Sequence, residues 1–254
     1  MAGDVCAQEG CKHCKEERPG PALAEGADDL PVATPTEVQP IDLLAQAIKV
    51  NNLELCKKLS QEFPSALSEK DTRDGATAAH WAALVGSVEI LEWLIELGVS
   101  VDTEVASSGM QPIHWACTRG HTEVVRLLLR EGVSVNALDI KHTSPLAIAA
   151  QYDHTILVFF LVKQRADISI LDDCEDSPLH WAAYKGNNQT AALLHYLGLS
   201  ADAQDSYGST PLHLAAAQGA SSVVEYLLES SEAEKLLQAS TPTARAEASD
   251  APRQ

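Results

Sequence analysis

Asp205-Ser206-Tyr207-Gly208-Ser209-Thr210-Pro211-Leu212-His213-Leu214-Ala215-Ala216 holds, in one short stretch, a turn, a helix start and the small residues of a packing face. Its last four residues recur up the chain as His80-Trp81-Ala82-Ala83, His114-Trp115-Ala116-Cys117, Ala147-Ile148-Ala149-Ala150 and His180-Trp181-Ala182-Ala183. The first residues of these copies are spaced 34, 33, 33 and 33 apart. A fixed period in that range means stacked copies of one supersecondary unit, each too small to bury its apolar face alone. Arrays of this kind usually bind proteins rather than catalyse.

Local signals agree with the period. Units begin near Asp71, Thr103, Asn136, Ser169 and Asp202, each with a turn. Pro112, Pro145, Pro178 and Pro211 fall just inside a helix start, where a fixed φ helps and a missing N–H costs nothing. Thr77, Ser144, Ser177 and Thr210 precede that position as N-caps. Gly86, Gly120, Gly186 and Gly219 end the first helices, where a left-handed residue is cheapest. Second helices follow, such as Val124 to Leu129 and Val223 to Leu228. Upstream, Ile41, Leu44, Ala45 and Ile48 keep helical spacing without the His-Trp signature, as expected of an entry repeat.

The run Thr210-Pro211-Leu212-His213-Leu214-Ala215, with its glycine turn ahead, resembles the ankyrin signature. The resemblance covers residues 40–238 and implies an all-α, ankyrin-repeat solenoid of stacked helix-turn-helix units with β-turn fingers. It would hold a degenerate entry repeat and five clearer ones. It also implies that the histidines at 80, 114, 180 and 213 are structural, tying adjacent turns together. Residues 1–39, with Pro19, Pro21, Pro31 and Pro35, read as a flexible tail, and residues 239–254 as a disordered one.

Composition narrows the partners. The chain has 36 acids against 18 bases, a net charge of −18 in 254 residues. Nucleic acid needs clustered Lys and Arg, so it is not expected as a ligand. The longest purely apolar run, Ile156 to Val162, is too short to span a bilayer and reads as one buried helix face. No apolar core follows a basic start at the N-terminus, so no secretory signal is expected. Six cysteines without framework spacing fit a reducing, cytoplasmic setting. A soluble monomer with a protein partner is the expectation.

The specificity of such a scaffold should lie on the first helices. There the Ala pairs pack, while the Trp one residue earlier shares a face with residues three and four positions on. This places Trp81, Trp115 and Trp181 along a concave groove with Arg119, Tyr152, Tyr184 and Lys185, a surface suited to a protein partner or an extended peptide. The alternative is that the rings pack only against the next repeat. Trp93, at second-helix spacing, is expected to pack.

Catalytic and cofactor chemistry finds little footing. Cys6, Cys11, His13 and Cys14 offer four ligand types in one short arc, but structural zinc sites pair two short spacings across a turn. No metal is therefore assigned, nor any other cofactor. No phosphate loop or nucleophile elbow appears, and Asp172 and Asp173 sit at a turn position shared with Asp139 and Asp205.

Trp after the repeat His also resembles the ankyrin region of the huntingtin-interacting type of DHHC palmitoyltransferases. That resemblance implies a region that recruits substrate proteins on the cytosolic face of an endomembrane, using such a Trp and an Asn of the preceding repeat. Trp115 matches the Trp; the Asn position is Val85. The family's Asp-His-His-Cys core, cysteine-rich domain and membrane spans are absent from these residues. The resemblance is confined to the repeats.

Overall fold

The computed structural model describes residues 39–71 and 75–240, the last ten of these as backbone only. The described residues are helices and turns, without a strand, and fall into two compact units divided between Lys141 and His142. In the first unit the helices are α1 (Pro40–Lys49), α2 (Leu53–Glu62), α3 (Ala78–Val85), α4 (Val88–Glu96), α5 (Pro112–Arg119) and α6 (Thr122–Arg130), with a 3-10 turn at Pro64–Leu67. In the second they are α7 (Pro145–Gln151), α8 (Thr155–Lys163), α9 (Pro178–Lys185), α10 (Asn188–Tyr196), α11 (Pro211–Gln218) and α12 (Ser221–Ser240). Among the described residues no helix is long and apolar enough to cross a membrane.

Each repeat is a pair, and equivalent helices pack on one another: α1 on α3 and α3 on α5 in one unit, α7 on α9 and α9 on α11 in the other. Close approach comes from the alanines, since Ala82, Ala83, Ala116, Ala149, Ala150, Ala182, Ala183 and Ala215 are all buried. Cys117 takes the same small position and is fully buried, which raises its thiol pKa. The branched side chains of the second helices fill the space behind, among them Leu91, Leu94, Val125, Leu128, Leu157, Leu161 and Leu194.

The helix ends follow the sequence signals. Pro stands in the first turn of α5, α7, α9 and α11, and Gly86, Gly120, Gly186 and Gly219 close the first helices with φ between 70° and 83°. Asp153, at φ 60°, and Asn51, at φ 50°, fill the equivalent place where no glycine is available. Asp and Asn tolerate the left-handed region better than other side chains.

At Gly86 a second constraint applies. A Cβ there would lie 2.5 Å from the ring of His121, whose Nε2 meets the Leu84 carbonyl at 3.0 Å. At Gly219 nothing lies within 4 Å. Both substitutions to Ala should therefore cost about 1 kcal/mol for the left-handed backbone. Gly86→Ala should lose about a further 1–2 kcal/mol to overpacking. Urea denaturation of the two variants checks this, and equal losses would refute the steric part.

The apolar run Ile156 to Val162 departs from expectation. Leu157, Val158 and Leu161 are buried, but Ile156 and Phe159 point outward, because a run of seven residues turns through nearly two full turns of helix. It is one helix with an apolar outer side, not one buried face.

Candidate interaction surfaces

The four histidines are occupied by the scaffold. In α3, His80 Nδ1 accepts the Thr77 N–H at 3.2 Å while its Nε2–H donates to the Met110 carbonyl at 3.1 Å. His114 repeats this with Gln111 N–H and the Ala137 carbonyl, and His180 with Ser177 N–H and the Ala203 carbonyl. Each ring thus caps its own helix and holds the loop that leads into the next finger. His213 keeps the cap to Thr210 but is exposed. With both ring nitrogens engaged, His80, His114 and His180 have no lone pair for a metal or a substrate proton. Burial holds His80 down to about 4 and lowers His114 as well, so both are neutral near pH 7.

The tryptophans separate into two kinds. Trp115 is only 4% exposed and Trp181 only 7%, whereas Trp81 is half-buried. Trp115 lies edge-on to both Trp81 and His80, each centroid 5.2 Å away. Trp181 lies edge-on to Tyr184 at 6.2 Å. The exposed surface expected of all three rings is thus offered by Trp81 alone. The other two are packed because helices spaced by Ala pairs leave a large ring no route past its neighbours.

The indole nitrogens depend on a residue nine or ten positions upstream. Trp81 Nε1–H donates to Asp71 Oδ2 at 3.1 Å, and Trp181 Nε1–H to Asp172 Oδ2 at 2.9 Å. The other oxygen of each carboxylate accepts finger N–H groups, Gly75 and Ala76 from Asp71, Cys174 and Asp176 from Asp172. Asp205 braces its finger in the same way, through the N–H groups of Tyr207 and Ser209. In the repeat of Trp115 this place is taken by Val105, and Trp115 Nε1 has no hydrogen-bond partner.

An orphaned buried donor costs about 1–3 kcal/mol. Val105→Asp should restore both the indole partner and the finger brace and raise stability by about 1 kcal/mol, net of the lost valine burial. A lower urea midpoint for Val105→Asp would show that the carboxylate cannot reach. The Trp–Asp pairing is not legible as a rule of the repeat, since Asp139 and Asp205 hold the same place ahead of Ile148 and Leu214 while Trp115 follows Val105. Period alone does not reveal it.

What remains exposed on the first helices forms one patch in each unit. In the first, Lys49 Nζ stands 3.8 Å above the ring of half-buried Trp81, with Leu84 and Val85 half-buried beside it and Arg119 exposed. In the second, Tyr152 is exposed, Tyr184 half-buried and Lys185 exposed, its Nζ 5.6 Å from the Tyr184 ring centre. Thr118 and Gln151, three residues after Trp115 and Ile148 on the same helix faces, are buried. Lys49 was not expected there, because the entry repeat lacks the Trp that marks the register. After Asp42 no first helix contains an acid.

The Asp172, Cys174 and Asp176 side chains bring potential ligand atoms within 4.8 Å of one another. Asp172 is already the brace of its finger, so the cluster reads as turn structure. Cys6, Cys11, His13 and Cys14 lie outside the described residues.

A family model described as ankyrin repeats matches residues 44–139 and 142–239, most of the chain. The chain belongs to the ankyrin-repeat family, whose repeats generally form protein-interaction modules without catalysis. A search of the curated proteins finds no match.

Proposed function

We propose that this protein is a non-enzymatic scaffold that captures a protein partner, as an extended segment, through first-helix patches of the kind each unit carries. The observation that carries this is the charge of those helices. In a chain of net charge −18 they carry no acid beyond Asp42, yet each patch sets a basic residue beside an accessible aromatic ring. Trp, Tyr and Arg, here Trp81, Tyr152, Tyr184 and Arg119, are the residue types that most often dominate the energetics of protein interfaces. The Ala and His positions are spent on the scaffold, so the choice of partner falls to Lys49, Trp81, Arg119, Tyr152, Tyr184 and Lys185. A cytoplasmic setting belongs to the same reading, supported by the buried thiols Cys56 and Cys117.

The substrate-recruiting region of a palmitoyltransferase is the second reading, and Trp115 is its only support. That ring is buried and Val85 stands where the resemblance needs an Asn, so the scaffold reading is preferred.

The test is capture of partners by the purified full chain. Trp81→Ala with Arg119→Glu, and Tyr184→Ala with Lys185→Glu, are each expected to weaken a captured partner at least about tenfold, a loss of about 1.4 kcal/mol or more. Unchanged capture by both double variants would overturn the assignment of these patches.

A further inference from the structure

The outer side of the second unit presents apolar side chains where the repeat elsewhere holds charge. Ile156 is 81% exposed, Phe159 48% and Tyr196 85%. By register, Ile156 occupies the place of Glu89 and Glu123, and Phe159 that of Glu92 and Arg126. Neither α8 nor α10 contains an acid, although the chain as a whole has twice as many acids as bases. The two helices pack side by side, joined by a hydrogen bond of 2.7 Å between the Thr155 and Thr190 hydroxyls.

We propose that the α8–α10 face is a dimerisation surface whose occupant is the same face of a second copy of this chain. What selects a second copy is size complementarity along the register; the absence of acids on this face only lowers the cost of bringing together two chains of net charge −18. Phe159 in α8 corresponds to Ala192 in α10, and Lys163 to Tyr196.

A two-fold axis running between the two helices and parallel to them lays α8 of each copy on α10 of the other. Each Phe159 ring then meets the small Ala192 of the partner copy. Each Lys163 ammonium, already 5.2 Å from the Phe159 ring centre, meets a Tyr196 ring. The contact is isologous and closed, as two-fold interfaces are. Its small footprint, two helices of nine residues each, implies a weak, reversible dimer. The chain would then be a monomer in equilibrium with a dimer, with the first-helix patches left outside the contact.

Sedimentation equilibrium of the full chain across the micromolar range, at physiological salt, tests the proposal. The expected result is a monomer–dimer equilibrium. Phe159→Glu should be monomeric throughout with an unchanged thermal midpoint, since Glu92 fills that place in α4 without harm. Phe159→Ala and Ala192→Phe should each weaken the dimer at least tenfold, and the double variant should recover most of it. A wild-type chain that stays monomeric overturns the proposal, as does a dimer that survives Phe159→Glu. Association that continues past two copies, or a double variant without recovery, overturns the two-fold register.

Discussion

Trp115→Ala and Trp181→Ala are expected to lose about 3–5 kcal/mol of stability each, the cost of deleting a large buried ring from a core that cannot close over the space. Both rings are nearly inaccessible, and Trp115 is wedged edge-on against Trp81 and His80. Trp81→Ala should cost less, because its ring is half-exposed, and should act chiefly on binding. The Phe substitutions separate packing from hydrogen bonding. Trp181→Phe removes the donor to Asp172 and leaves a carboxylate oxygen without it. Trp115→Phe removes a donor that has no partner. Trp181→Phe should therefore be the more damaging of the two by about 1–2 kcal/mol. Urea denaturation of the set measures this. A thermal midpoint unmoved by both Ala variants would mean that the rings are surface groups, contrary to their burial.

Acid is expected to destabilise the fold between pH 6.5 and about 4. His80 is held at about 4 in the folded chain by burial, against an ordinary value of 6.5, and His114 is lowered for the same reason. The unfolded chain therefore binds protons that the folded chain refuses. Stability is fully present above pH 6.5 and falls with pH until the folded value is reached. His80 alone contributes a loss of about 3 kcal/mol over that window. The structural cause is specific: protonating Nδ1 would set a second donor against the Thr77 N–H, breaking the helix cap. Urea midpoints at pH 7.5, 5.5 and 4.5 should fall in order, and the imidazole proton resonances of His80 should keep their neutral positions at pH 5.5. A flat series would refute the burial of these rings.

Much of the fold was legible because its signals are local. Pro211 at a helix start, Thr210 as its cap and Gly219 in the left-handed region each act on one or two dihedrals, whatever the rest of the chain does. Recurrence at 33 or 34 residues then fixed the stacking. The site was less legible. The expectation that Trp81, Trp115 and Trp181 share one exposed role rested on their identical place in the repeat, yet their accessibility differs. Lys49 escaped notice because the entry repeat carries no Trp, and Thr118 and Gln151, on the same helix faces as Trp115 and Ile148, are buried.

The sequence by itself determined the repeat, its helix boundaries and its capping residues, while the structural role of the histidines was implied by the ankyrin resemblance and is completed by Nε2 bonds to carbonyls 23 to 30 residues away. Tertiary structure alone decided what repeating residues do in unlike surroundings. The same indole is braced by Asp71 or Asp172 where a carboxylate lies opposite and is left without a partner beside Val105. The same apolar run buries Leu157, Val158 and Leu161 while turning Ile156 and Phe159 outward. Burial depends on what the neighbouring repeat places across the gap, and a period, being the same in every copy, carries no information about that difference.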